Sequence, residues 1–254
     1  MSTGGPCRVA WWGHSTTVVE MGGARLITDP VLTARAGHLT RKSGPAPEPG
    51  EFDAVLISHL HMDHLHLPSL RLLAPRHVVG PPGLRALLRA AGIERVTEVE
   101  PSDEITVGGI AVRAVPADHE GRRTPWSAPS PALGYLVIGS HRVYFAGDTG
   151  LFEGMGALGR GGIDVALLPI WGWGASLGRG RHLDPFTAAQ ALVRLRPGWA
   201  VPIHWGTYAP AWVSRRHPPA FLTQPAHDFA MHAERLAPTV RVSALHPGGE
   251  LTVP

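Results

Sequence analysis

The sequence predicts one mixed α/β domain spanning residues 1–254, and three observations predict it. Short apolar runs bounded by turn residues recur along the chain, the pattern of buried strands. Stretches with apolar residues at i, i+3, i+4 and i+7 fall between them, the pattern of helices. Nearly every strand-like run ends at His or Asp, so one edge of the sheet structure should gather ligand-type side chains on loops. With 254 residues, 44% hydrophobic and 17% charged, the chain is long enough and apolar enough to bury a core.

The runs come in order. Arg25–Thr28 ends at Asp29-Pro30, and Ala54–Ile57 ends at His59. Ile110–Val115 leads through Pro116-Ala117-Asp118 to His119, and Arg142–Ala146 ends at Gly147-Asp148. Val165–Leu168 ends at Pro169-Ile170-Trp171, and Ala200–Ile203 ends at His204. Helices are expected at Gly83–Gly92, with Gly92 as its stop, and from Asp184-Pro185, an N-cap followed by proline at N1. A third is expected at Pro225–Leu236, before a last strand at Val240–Ala244. Ala36–Gly50, rich in Gly, Pro and basic residues, reads as a loop over a site.

Composition narrows the function classes. The formal charge is +3, and of 23 basic residues only Lys42 is lysine, which points to codon usage rather than to a nucleic-acid footprint. Arg122-Arg123, Arg179-Gly180-Arg181 and Arg215-Arg216 are too short to be basic tracts, so no nucleic-acid partner is expected. Cys7 is the one cysteine, which excludes an internal disulfide and a multi-thiolate metal site. Met1–Pro6 lacks the charge-then-apolar order of a signal peptide, and no uncharged stretch reaches the roughly 20 residues of a membrane helix. A cytoplasmic protein acting on a small-molecule substrate is the expectation.

The most specific signal is Ser58-His59-Leu60-His61-Met62-Asp63-His64, directly after an apolar run. Histidines two apart on a strand end aim to one side, and after the turn Asp63 and His64 can face a second point. Imidazole nitrogen and carboxylate oxygen suit zinc, so two such groupings suggest a pair of metals. Taken alone, a His-rich surface loop is the plainer reading, and His14, His38, His66, His77, His141, His217, His227, His232 and His246 are read as surface or structural.

His-x-His-x-Asp-His is the hallmark of the metallo-β-lactamase superfamily, which the chain resembles over nearly its whole length. Within it the chain looks most like the branch holding ascorbate-6-phosphate lactonase and N-acyl-phosphatidylethanolamine phospholipase D. Gly13–Thr17, Leu26–Pro30, Pro116–His119, Phe145–Gly150, His182–Pro185 and Pro202–Thr207 match that branch in order. The resemblance implies a four-layer αββα sandwich. It implies a first zinc on His59, His61 and His119, and a second on Asp63, His64 and His204, with Asp148 bridging. Asp29 would stand behind the ligands and fix the orientation of one of them. Two Zn²⁺, or Mn²⁺ in their place, would hold a bridging hydroxide as nucleophile, with Asp63 orienting it and His182 protonating the leaving group.

The resemblance thus implies a zinc-dependent hydrolase of a phosphodiester, a lactone or a related ester. An iron oxidoreductase of the same fold and a non-catalytic metal-binding protein are the alternatives. Leu60, Met62, His66, Glu120-Gly121 and Ile170–Gly174 depart from the branch's pattern where substrate would be read. Arg122, three residues after His119, could clamp an anionic substrate. Trp171 and Trp173, in a Trp-Gly-Trp-Gly sequence unsuited to a strand core, could wall the pocket.

Overall fold

Strands whose apolar residues are continuous rather than alternating must be covered on both faces. The computed structural model, which describes residues 5–171 and 181–254, shows how this is done. The chain forms β1 (Cys7–Gly13), β2 (Thr16–Met21), β3 (Ala24–Thr28), β4 (Arg35–Ala36), β5 (Leu39–Arg41) and β6 (Ala54–Leu56). Then come α1 (Leu67–Leu73), β7 (Val78–Gly80), α2 (Leu84–Arg89), β8 (Val96–Glu98), β9 (Glu104–Val107), β10 (Ile110–Glu120), β11 (Pro131–Ile138) and β12 (Arg142–Phe145). The remainder is α3 (Met155–Arg160), β13 (Val165–Pro169), α4 (Pro185–Leu195), β14 (Trp199–Ile203), β15 (Tyr208–Pro210), α5 (Ala220–Thr223), α6 (Pro225–Leu236), β16 (Arg241–Val242) and β17 (Gly249–Val253).

Two seven-stranded sheets result, ordered β17-β1-β2-β3-β6-β7-β8 and β16-β14-β13-β12-β11-β10-β9. Side chains that alternate along each strand divide between two cores. Ala54 and Leu56 of β6 join Val165 and Leu167 of β13 in the core between the sheets. Val55 and Ile57 point the other way, onto Leu70 of α1 and Leu84 and Leu88 of α2. Ala166 and Leu168 likewise point outward, onto Ala188, Leu192 and Leu195 of α4 and Phe229 of α6. Helices thus cover both outer faces, and the architecture is the αββα sandwich. Truncating a wholly buried side chain such as Phe145 to Ala should cost about 3–5 kcal/mol.

All six strand runs read from the sequence are strands. Pro225–Leu236 is helical as expected, and α4 starts as expected. Asp184 caps α4 in a reciprocal box: its carboxylate accepts from the Thr187 N–H at 2.7 Å, and the Thr187 hydroxyl accepts from the Asp184 N–H at 2.8 Å. Three expectations need correction. The helix near residue 83 ends at Arg89 with Ala90 as its C-cap, so Gly92 lies beyond it. The strand expected at Val240–Ala244 shrinks to Arg241–Val242, and β17 follows it to form the edge of the first sheet. Ala36–Gly50 is not all loop, because β4 and β5 pair with each other and with β15 in a small third sheet. Buried Arg41 anchors that sheet by donating to the carbonyl oxygens of Trp12, Val31 and Gly44.

Candidate metal centre

The ligand-type residues meet where the strands of both sheets end. The motif after β6 is pinned to the second sheet by backbone hydrogen bonds. Leu133 N–H donates to Ser58 O at 2.9 Å, Leu60 N–H to Gly121 O at 2.9 Å, and the Tyr135 hydroxyl to Ile57 O at 2.7 Å. Gly147, just before Asp148, sits at φ 61°, and a Cβ there would come within 2.8 Å of Ser58 Cβ and of Leu133 O. Glycine is therefore what lets Asp148 approach the motif. Thr149 joins the next segment, its hydroxyl accepting from the Asp118 N–H at 2.9 Å while its carbonyl accepts from Leu183 N–H at 2.9 Å. This brings His119 and His182 together beside the Asp148 turn, with ring centroids 4.6 Å apart.

Two groups of ligand atoms form. In the first, His59 Nε2 lies 2.9 Å from His61 Nδ1, which lies 3.4 Å from His119 Nε2. The second holds His14, Asp63, His64 and His204, each offering an atom within 4.8 Å of the others. Asp148 contacts the second group and reaches the first at His119, with which, and with His182, it offers atoms within 4.8 Å of one another. Its Oδ2 is 3.4 Å from His64 Nε2 and 3.4 Å from His182 Nδ1, and its Oδ1 is 3.2 Å from His204 Nε2. Asp29, wholly buried at φ 35°, lies behind the second group. Its carboxylate accepts from Ser58 N–H at 2.7 Å and Ser58 Oγ at 2.5 Å, and lies 2.8 Å from His64 Nδ1.

Electrostatics favour ligand-ready protonation states. Burial, reinforced by neighbouring imidazoles, pushes His59 well below the usual histidine range. Burial also lowers His61, His119 and His182, and pushes His204 down to about 4. Burial alone would raise Asp148, but His204 and His64 hold it well below the usual carboxylate range. Asp63 is held low against burial by His64 and then His14. His64 runs opposite: burial opposes its charge, yet Asp148, Asp63 and Asp29 together hold it well above the usual range. A cation among these carboxylates would take the place of that proton.

The donor set fits divalent metal. Imidazole nitrogens facing one another at 2.9–3.4 Å around a common point gain little from each other and much from a shared cation. Buried His64 Nε2, Asp148 Oδ1 and His182 Nδ1 make no aligned hydrogen bond and point into the same space.

The structure thus brings together His59, His61, Asp63, His64, His119, Asp148, His182 and His204, with Asp29 behind. His14, read as surface or structural, is instead buried inside the centre, with Nε2 3.2 Å from Asp63 Oδ2. The missed signal was the strand-end rule itself, since the Val9–Trp12 stretch of β1 also ends at a histidine. His66 is structural as read, its Nδ1 2.7 Å from Ser69 Oγ at the start of α1. Trp171 lies at the centre's edge, and its carbonyl oxygen is 2.8 Å from His204 Nδ1. Trp173 lies outside the described residues. Arg122 pairs with Glu120 and donates to Pro125 O at 3.3 Å. Arg123 donates to Leu60 O at 3.0 Å and Leu65 O at 2.8 Å, fastening its loop to the motif.

Residues 24–205 match the β-lactamase superfamily domain, well over half of the chain. The chain belongs to the metallo-β-lactamase superfamily. It is 30% identical over 250 residues to a UPF0173 metal-dependent hydrolase of Methanopyrus kandleri, covering 95% of this chain and 97% of that protein. It is also 30% identical over 233 residues to N-acyl-phosphatidylethanolamine-hydrolyzing phospholipase D 1 of Caenorhabditis elegans, covering 78% of this chain and 63% of the nematode enzyme. A metallo hydrolase from the archaeon Ignicoccus hospitalis shares the fold at a TM-score of 0.74 and 22% identity, covering 98% of this chain and 99% of that one. The diiron β-hydroxylase CmlA of Streptomyces venezuelae shares it at 0.72 and 19% identity, covering 97% of this chain and 54% of that one. The family and its relatives identify this superfamily member as a metal-dependent hydrolase. Among the described residues no helix is long and apolar enough to cross a membrane.

Proposed function

We propose that this metal-dependent hydrolase works with two zinc ions, Mn²⁺ being able to replace them, and cleaves an ester-type bond: a phosphodiester, a lactone or a related ester. The observation that carries the reading is Asp148 reaching both ligand groups. His59, His61 and His119 would hold one ion, Asp63, His64 and His204 the other, and Asp148 would touch both. Bound there, such a pair supplies Lewis acidity and a water acidic enough to attack near neutral pH.

The chain's own residues do the rest. Asp29 holds the His64 ring by its Nδ1, so that Nε2 faces the centre. His14 holds Asp63 in the same way through Oδ2. His182, half-buried and neutral at rest through burial, stands beside Asp148 where it could take a proton from the attacking water and pass it to the departing oxygen. The diiron neighbour keeps iron chemistry in view for the fold, and the all-nitrogen and carboxylate donor set of this chain accepts iron as well. Hydrolysis is favoured because the full-length relative from Methanopyrus kandleri is a metal-dependent hydrolase.

Metal analysis of gently purified protein tests the reading. About two equivalents of zinc are expected, with a rise in melting temperature on loading and a fall on chelation. Asp148→Ala should lower the stoichiometry and reduce hydrolysis of a panel of phosphodiesters, lactones and thioesters by at least about 100-fold. One equivalent in both wild type and variant would remove the bridging role of Asp148.

A further inference from the structure

A cavity of about 840 Å³ opens onto the second ligand group, with His61, Asp63 and His204 in its wall. That volume falls in the range of sites that enclose a drug-sized molecule, about 300–1,000 Å³. Its other walls come from β4, β5 and the turn between them, from Trp171 and from the stretch that follows β14 through α5. These contribute Leu39, Trp205, Trp212, Phe221 and Leu222. Met62, one of the departures from the branch's motif, stands in the wall next to Asp63.

Two properties of this cavity point the same way. The first is exposure: Trp212 is 83% exposed, Met62 58% and Phe221 38%. Large apolar groups gathered at one opening in this way mark a binding surface rather than scatter. The second is charge. Among the described residues of the wall, Arg123 is the sole lysine or arginine. Its Nη1 donates to the Leu60 and Leu65 carbonyls, which holds the side chain against the motif. Arg122, whose position suggested an anion clamp, is paired with Glu120. Apart from Arg123, the described residues of the wall offer a phosphorylated arm no lysine or arginine, whereas an alkyl or aryl arm would find aromatic and aliphatic contact on several sides.

We infer that the cavity holds the apolar arm of an uncharged substrate, a carboxylic ester or lactone carrying an alkyl or aryl group, with the scissile carbonyl at the metal centre. This deepens the hydrolase reading and rests on it. The reaction consumes one water, breaks the acyl C–O bond, and releases a carboxylic acid and an alcohol, joined in one molecule when the substrate is a lactone.

The test has two arms. In the first, zinc-loaded protein is assayed with p-nitrophenyl esters from acetate to octanoate. The expected kcat/KM rises about fourfold per methylene, which is the roughly 0.8 kcal/mol of a buried methylene at 1.4 kcal/mol per factor of ten. In the second, binding of butanol, hexanol and octanol is followed by ligand-observed NMR, a readout independent of turnover. Affinity should climb with chain length and fall for octanol in Trp212→Ala and Phe221→Ala. Trp212 is too exposed for its loss to threaten folding. Flat responses in both arms, or a better rate with a phosphodiester such as bis-p-nitrophenyl phosphate than with any ester, would overturn the inference and leave the hydrolase reading standing. Length-dependent alkanol binding with no hydrolysis of any ester would support the apolar site and overturn the ester-hydrolase reading.

Discussion

The two halves of the candidate metal centre are built differently. The His59, His61 and His119 group draws two ligands from one short turn, and His61 and His119 are only half-buried. The His14, Asp63, His64 and His204 group draws on both sheets and on positions far apart in the chain. In it His14, His64 and His204 are buried. Supports differ as well. His119 Nδ1 meets a backbone oxygen, that of Arg181, at 3.1 Å, and His59 Nδ1 lies 2.9 Å from the Ser58 hydroxyl. His64 instead leans on the buried Asp29 carboxylate, and Asp63 on His14. Both halves draw on the motif after β6, but the open half adds one distant ligand, His119, whereas the buried half adds His204 and His14 from two further segments. The buried half also carries strain, because His14, Asp29 and His204 all have positive φ, at 52°, 35° and 61°. Non-glycine residues hold that conformation where surrounding structure imposes it. Backbone hydrogen bonds do so here: His204 N–H donates to His14 O at 2.9 Å, and Asp29 N–H to Leu56 O at 2.9 Å.

The contrast is easiest to break at Asp29. Asp29→Ala removes the acceptor of two Ser58 hydrogen bonds and the partner of His64, all in a dry site. Metal affinity at one of the two positions should fall about 10–100-fold, the usual cost of losing such a support. Titration against a chelating dye should then resolve one tight and one weak site. Equal weakening of both sites would show that the halves are not independent.

His182 sharpens the boundary between metal and substrate. Its Nδ1 is within reach of Asp148, and with His119 and Asp148 it forms a third possible ligand cluster. A proton-transfer residue here would act on turnover alone. His182→Asn should therefore lower kcat/KM by about 10²-fold while zinc content stays at the wild-type value. Loss of one equivalent would reassign His182 as a ligand.

His14→Gln should have a milder effect, since the amide keeps a donor near Asp63. A fall of about tenfold or less in affinity at the buried position is expected, with the His14→Ala loss larger. Metal binding unchanged in both variants would reduce His14 to packing against His204, whose ring centroid is 4.2 Å away.

These residues also show what a sequence exposes. His59, His61, Asp63 and His64, which serve both halves, are legible because they sit in a run of six residues after a strand. Gly147-Asp148 and Ile203-His204 are legible because continuous apolar strands stop there. His14 follows the apolar run Val9–Trp12 in the same way, but it stands far from the motif in sequence, and only the fold brings it beside Asp63. The third sheet is hidden because strands of two or three residues have no period to read. The apolar cavity is hidden more deeply, since Leu39, Met62, Trp212 and Phe221 come from separate segments that only the fold brings to one wall.

The smallest expected effect belongs to Arg122, and it tests whether the open half selects substrate by charge. Proximity to His119 suggests an anion clamp, but the structure spends that guanidinium on Glu120 and Pro125 O at the surface. Exposed pairs of this kind contribute about 0–1 kcal/mol and are screened by salt. Arg122→Ala should therefore change KM less than about threefold, for a phosphodiester and for a neutral ester alike, with no difference in salt dependence. A selective rise in KM for the phosphodiester would mean that substrate draws Arg122 away from Glu120. Charge selection would then return to the open half, and the apolar cavity beside the buried half would have to share the substrate with it.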